Sequence, residues 1–251
     1  MNDSPTDARR LWHASAPAWV RGVRNGDVNR SLLLDEPVLE LCGDVRGRSV
    51  VDVGCGEGRF CRMLAARGAR AVGLDVTEPL LAAARLAHPG GAYVRGTAEA
   101  IPLASGTLDL AVSYLTLIDI PDFRRAIAEM ARVLRPGGRL VIANLQSFAT
   151  TRDRPWQRDA EGRKLHFAVD DYFDERPMEL AWGDLRILNW HRPFEAYVQA
   201  LLAAGLTLTD FREPRPTPEA VAAHPSMMDE YRVPIFHVMA WRKGGGERPP
   251  A

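Results

Sequence analysis

Hydrophobic and polar positions along the chain follow two rhythms in turn. Short runs that are apolar nearly throughout occur at 49–53 (SVVDV), 71–75 (AVGLD), 92–96 (AYVRG), 108–114 (LDLAVSY) and 138–145 (GRLVIANL). Between them, 57–67, 78–87 and 122–134 have the spacing of helices with one buried face. Strands with no polar face suit a parallel sheet covered on both sides, and the intervening helices suit βαβ crossovers. RPGG at 135–138 ends a helix with Pro and Gly, as expected where the chain turns into its next strand. Upstream, 8–24 and 31–42 read as amphipathic helices, with Leu11, Trp12, Trp19 and Val20 on the apolar face of the first. From about 146 to 192 the rhythm breaks into a stretch too long and too aromatic for a connector. It resumes with a helix at 193–204 and strands at 206–212 and 235–242, separated by a Pro-rich loop at 213–234.

These elements predict an α/β chain with a doubly wound, mostly parallel sheet of seven strands. Residues 1–44 are expected to form an amino-terminal helical lid, 45–145 the ligand-binding core, and 146–192 a cap inserted after the fifth strand. Residues 193–243 return to the core, and GGGERPPA at 244–251 is expected to be disordered. No internal repeat is visible.

Composition narrows the function. With 251 residues and 46% hydrophobic content the chain can bury a large core. Thirty-two basic residues balance 32 acidic ones, so no global field draws it to nucleic acid or to an anionic membrane. The polar opening MNDSPTDARR and the lack of any run of membrane-spanning length predict a cytoplasmic protein. Cys42, Cys55 and Cys61 are odd in number and form no C-x-x-C pair, which argues against a disulfide framework and a zinc site, and no metal is expected. Lys164 and Lys243 are the only lysines among the basic residues. That skew suits a bacterium with a GC-rich genome, although the bidentate geometry of arginine is a competing account.

The stretch with the most chemistry is VVDVGCGEGRF at 50–60. Its glycines at 54, 56 and 58 follow the first strand, at the carboxyl edge where open α/β sheets bind ligands. A tight turn without a ligand would look similar, but Asp75 ends the next strand, where a carboxylate can accept from both hydroxyls of a ribose. The pattern therefore predicts a nucleoside-type ligand. Dinucleotide turns prefer G-x-G-x-x-G, one residue longer than this one. Asp52 also stands in the turn, where it is expected to repel a pyrophosphate and attract a cation.

With these residues the chain resembles the class I S-adenosylmethionine-dependent methyltransferases of the small-molecule type, strongly over about 45–145 and more weakly over 190–243. VVDVGCGEGRF is similar to that family's first motif and VGLDVT to its ribose-binding strand end. GTAEAIPLASGTLDLAVSY resembles its adenine and fourth-strand region, and ARVLRPGGRLVIANL its helix leading into the fifth strand. The resemblance implies a Rossmann-like fold and S-adenosyl-L-methionine as cofactor. It implies that Gly54, Cys55 and Gly56 line the methionine end with Asp52 in support, that Asp75 holds the ribose and that Val76 flanks the adenine. Thr97, Ala98 and Glu99 would lie at the adenine amino group, with Thr97 standing where the family often has an acid, and Tyr114 and Leu115 would close the site. Arg30, beside Asn29, could pair bidentately with the methionine carboxylate or be a surface arginine, and Trp12 and Trp19 could belong to a lid or to the core.

Methyl transfer needs chiefly alignment, but an acceptor carrying a proton also needs a base. His191, in ILNWHRPFEAY, is the first candidate, since an imidazole titrates near neutrality, and His166, in KLHFAVDDYF, is the second. Either could instead be structural or simply solvated. Trp156, Phe167, Tyr172, Phe173, Trp182 and Trp190 give the cap enough aromatic surface for a ring-bearing small acceptor of the kind met in secondary metabolism, methylated on O or N. They could equally form the cap's own core. The expected partner is that small molecule, with the protein a monomer or homodimer. Two other readings stand beside this one. An NAD-dependent oxidoreductase lacks the expected Tyr-x-x-x-Lys pair, and a non-catalytic binding subunit would not need the base.

Overall fold

A computed structural model describes residues 5–24, 26–152 and 155–245. In chain order the first elements are α1 (Pro5–Arg24), α2 (Asp35–Cys42), β1 (Ser49–Val53), α3 (Arg59–Ala66), β2 (Arg70–Asp75), α4 (Glu78–Ala87) and β3 (Ala92–Arg95). Next come β4 (Leu108–Tyr114), α5 (Phe123–Val133), β5 (Leu134–Leu145), β6 (Trp156–Arg158), β7 (Lys164–Phe167), β8 (Arg176–Trp182) and β9 (Leu185–His191). The last are α6 (Phe194–Ala203), β10 (Leu206–Arg212), α7 (Pro218–Ala223), α8 (Met228–Arg232) and β11 (Phe236–Lys243).

Seven strands form one sheet in the order β3-β2-β1-β4-β5-β11-β10, and β11 runs antiparallel to both its neighbours. Alternate residues of each strand supply opposite faces, which is why the strands carry almost no polar positions. Val51, Val53, Ala111 and Ile142 pack with Phe123, Ile127 and Met130 of α5 and with Tyr197 and Leu201 of α6. On the other face Val50, Leu110, Val112 and Val141 pack with Val38 and Leu41 of α2 and with Phe60 and Leu64 of α3. The chain leaves β1 toward β2 and β3, then returns to the other side of β1 as β4. That reversal opens a crevice at the carboxyl ends of β1 and β4.

Two segments are more ordered than their composition suggests. The stretch at 146–192 holds two antiparallel hairpins, β6–β7 and β8–β9, and α1 packs against β9 and α4. The expected plain loop at 213–234 contains α7 and α8, where Thr217 caps α7 by accepting from the Ala220 N–H and Pro218 occupies its first turn. RPGG is drawn into β5, which starts at Leu134 with an irregularity opposite Leu108–Leu110. Residues 246–251, most of the expected disordered tail, lie outside the described residues. Among the described residues no helix is long and apolar enough to cross a membrane.

His237 lies fully buried in β11 opposite Asn144, its ring stacked on Phe211 at 5.9 Å and edge-on to Phe194 at 5.3 Å. Burial among these rings presses its pKa down to about 4. The folded protein therefore keeps it neutral where an unfolded chain, with a pKa near 6.5, takes up a proton. Stability is lost as pH falls from about 6.5 to about 4, by up to about 3 kcal/mol from this one residue. Urea unfolding of the parent and of His237→Leu across that range is expected to show a shallower acid limb for the variant.

Candidate functional site

The glycine turn after β1 is shaped by what surrounds it. Gly54 has φ +75°, and a Cβ there would come within 2.1 Å of Thr116 Cγ2, so only glycine fits between β1 and the segment after β4. A Cβ on Gly56, at φ +56°, would meet nothing closer than Trp19 Nε1 at 3.7 Å, because Gly56 borders open space. The Gly56 N–H donates to Asp75 Oδ2 at 2.9 Å and the Thr77 N–H to Oδ1 at 2.7 Å. Asp75 thus ties the turn to the end of β2, where the Thr77 side chain and the Val76 amide also act on it. Burial raises its pKa, against the pull of these hydrogen bonds.

Above the turn is a cleft of about 720 Å³. Its floor and one wall come from the ends of the strands: Gly54, Gly56, Asp75, Val76, Thr97, Ala98, Glu99 and Tyr114. Leu115 also lines it with φ +54°, a left-handed conformation that a branched residue adopts only under constraint from its surroundings. The opposite wall comes from α1, through Trp12 and Trp19, and from the β8–β9 hairpin, through Leu180, Trp182, Leu185 and Ile187. The two tryptophans are two helical turns apart on one face and meet edge to face at 5.3 Å. Ser15 joins the two parts of this wall: its Oγ donates to the Arg186 carbonyl at 2.8 Å, and the Arg186 N–H donates back at 3.0 Å.

Arg30 enters the cleft from the first position of a π-helical turn, Arg30–Leu34. Its guanidinium donates to Asp27 at 2.6 Å and lies over the rings of Trp19 and Tyr114 at 4.9 and 5.6 Å. Tyr114 donates its hydroxyl to Asp35 at 2.9 Å, and Asp35 is also paired with Arg59. On the far side, Asp119 lines the cleft at the end of a 3-10 turn, Leu117–Asp119, and accepts from the Asn189 side-chain amide and the Trp12 side chain. Burial raises its pKa well above the ordinary carboxylate range. Arg192, itself buried, donates to the carbonyls of Leu117, Ile120 and Pro121 at 3.0, 2.6 and 3.0 Å and so fixes the backbone on both sides of Asp119.

Ten of the residues expected at the cofactor line this cleft together: Arg30, Gly54, Gly56, Asp75, Val76, Thr97, Ala98, Glu99, Tyr114 and Leu115. Asp52 and Cys55 do not. Asp52 is buried beneath the turn, accepts from the Cys61 thiol at 3.4 Å and is pushed up to about 7 by burial, so it faces the protein rather than a ligand. Cys55 packs inward with Cys61 and Leu81.

Neither histidine is placed to act as a base in the cleft. His191 is fully buried: its Nε2–H donates to the Tyr172 carbonyl at 2.8 Å, and its Nδ1 meets the Thr150 hydroxyl at 2.8 Å. Burial lowers its pKa, so the neutral ring is favoured and both nitrogens are occupied. His166 is exposed on the β6–β7 hairpin. Of the cap's aromatic residues only Trp182 borders the cleft, whereas Phe167 packs edge-on to Trp156 and Phe148 and Tyr172 packs edge-on to Phe173. Asp119 was not anticipated. Its one sequence signal is a lone acid inside the apolar stretch SYLTLIDIP.

Residues 51–142 match the model of a methyltransferase domain. Over its length the chain superposes on an S-adenosylmethionine dependent methyltransferase from Mesorhizobium loti, with a TM-score of 0.74 and 29% identity, covering 87% of this chain and 99% of that one. Residues 51–142 are a methyltransferase domain, and the fold around them is that of S-adenosylmethionine-dependent methyltransferases. S-adenosylmethionine is accordingly its cofactor. A malonyl-[acyl-carrier protein] O-methyltransferase from Pectobacterium atrosepticum is 34% identical over 141 residues, which is 55% of this chain and 56% of that protein. The chain spans just over half the length of the curated relatives it matches.

Because His191 holds the hairpin to Thr150 and Tyr172 rather than facing the cleft, His191→Ala is expected to destabilise the methyltransferase by about 2–4 kcal/mol. Its affinity for S-adenosylhomocysteine should stay within twofold of the parent. Urea denaturation and calorimetry on the same variant check both.

Proposed function

We propose that this chain transfers a methyl group from S-adenosylmethionine to an oxygen or nitrogen atom of a small organic acceptor enclosed in the cleft. One observation carries the reading: the Asp75 carboxylate ends β2 beside the uncovered Gly56, on a cleft of about 720 Å³. That volume suits a nucleoside cofactor together with a modest acceptor.

The residues present fit the cofactor part by part. Asp75 accepts from the ribose hydroxyls, and Val76, Thr97, Ala98 and Glu99 flank the adenine. Gly54 and Gly56 let backbone approach the methionine portion, and Arg30, held by Asp27, presents its remaining N–H groups to the methionine carboxylate. When bound, the cofactor supplies an electrophilic methyl group on a sulfonium whose leaving form is neutral. The chain's own contribution is alignment and exclusion of water, for which Trp12 and Trp19 on α1 act as the lid and the β8–β9 hairpin as the cap. Leu180, Leu185 and Ile187 make the acceptor end apolar, and Trp12 and Trp182 border it, which favours a ring-bearing small molecule of the kind secondary metabolism supplies. Three unpaired, buried cysteines agree with a reducing compartment such as the cytoplasm.

Calorimetry with three ligands tests the reading. S-adenosylmethionine and S-adenosylhomocysteine are expected to bind and NAD is not, because the glycine turn is one residue shorter than a dinucleotide turn. Comparable NAD affinity would overturn the assignment. Asp75→Ala should weaken S-adenosylhomocysteine binding by about 30- to 1,000-fold, or about 2–4 kcal/mol. Normal binding by a folded Asp75→Ala protein would move the pocket elsewhere.

A further inference from the structure

Among the described residues four acids line the cleft, and three have a task in the cofactor reading. Asp27 is paired with Arg30, Asp75 holds the glycine turn, and Glu99 sits with Thr97 and Ala98 on the adenine side. Asp119 is left. It lies between Ile118 and Ile120, with the hairpin residues Ile187 and Leu180 lining the same cleft. A carboxylate in such a setting is costly to bury, and here it is held by design of the surroundings. The Asn189 amide comes to it from β9, Trp12 from α1, and the three bonds from Arg192 pin the turn that carries it.

These contacts leave Asp119 as an acceptor with lone-pair capacity, lining the same cleft as the acceptor-facing apolar residues. We propose that Asp119 is the catalytic proton acceptor and that it selects an acceptor with an amine or hydroxyl on an apolar body, not a carboxylate. This rests on the cofactor reading above. It departs from the malonyl group named for the Pectobacterium relative, since a free carboxylate on the acceptor would meet a like charge beside Asp119.

The atoms balance without a further reactant. The acceptor's lone pair on nitrogen or oxygen forms the new bond to the methyl carbon as the carbon–sulfur bond breaks, its electrons going to sulfur. The proton on that nitrogen or oxygen passes to an Asp119 oxygen, leaving a neutral carboxylic acid that returns the proton to water as product departs. The charged groups acting on Asp119 are Arg30, which favours its ionised form, and Asp75, which opposes it, while burial raises its pKa and so makes the ionised carboxylate a stronger base.

Matched probes test this without knowledge of the natural acceptor: 2-phenylethylamine, phenol and phenylacetate, titrated into the protein saturated with S-adenosylhomocysteine. The parent should bind the amine at least about tenfold more tightly than phenylacetate, as a desolvated carboxylate requires. Asp119→Asn, which keeps the shape, should lose that preference while holding S-adenosylhomocysteine within twofold. With S-adenosylmethionine, transfer to amine or phenol should fall about 10²- to 10⁴-fold in the variant, and the parent's loss of rate at low pH should flatten. Equal or tighter binding of phenylacetate, no binding of the amine, or an unchanged preference in Asp119→Asn would overturn the proposal. A parent that fails to bind S-adenosylhomocysteine would instead remove the cofactor reading beneath it.

Discussion

A buried guanidinium with no carboxylate partner among the described residues holds together the side of the cleft proposed for the acceptor. Moving an arginine out of water is expensive, and an ion pair is the usual compensation. Arg192 is compensated instead by three carbonyls of the segment after β4, by the Tyr197 hydroxyl at 3.3 Å and by the face of Phe123 at 4.4 Å. Because it follows β9 directly and precedes α6, its bonds join the hairpin, the sheet's carboxyl edge and the α5–α6 layer at one point. The position of Asp119 and the width of the cleft both follow from that junction.

The cofactor side is organised by an opposite charge. Asp75 binds two backbone amides from two segments, so the glycine turn and the start of α4 are set by the same carboxylate proposed for the ribose. Asp52, Asp75 and Asp119 all have raised pKa values, chiefly through burial. A cationic ligand would favour their ionised forms, and by reciprocity their ionisation would favour the cation. The electrostatics of the cleft and its floor therefore suit a sulfonium and an ammonium better than a pyrophosphate, although Asp52 acts from beneath the turn and not within it.

Much of this was legible in advance, for identifiable reasons. A strand buried on both faces leaves a run of apolar residues, so β1, β2 and β4 could be located within a residue of their observed ends. Gly54 and Gly56 could be placed because backbone conformation demands them, but Cys55 between them turns inward, and no composition rule shows that. His191 was misplaced by its neighbours. Leu185, Ile187 and Asn189 alternate into the cleft, and His191 continues the same alternation, yet by then the strand has passed beneath the turn at Ser147–Thr150. Asp119 escaped because its partners, Trp12 and Asn189, are more than a hundred residues and about seventy residues away in the chain, and only the tertiary fold brings them together.

The reciprocal bonds between Ser15 and Arg186 have a bearing on how such a protein can change over generations. They join two stretches, α1 and the β8–β9 hairpin, that lie outside the βαβ units carrying the glycine turn and Asp75. Substitutions in the hairpin, or in α1 away from Trp19, would reshape the proposed acceptor end and leave the glycine turn and Asp75 in place, so selection for a new substrate has a place to act at little cost to the shared chemistry. The two stretches are not independent of each other, however. Grafting the hairpin from one relative to another should carry its amino-terminal helix with it, and the pair, more than either part, is the heritable unit of acceptor choice.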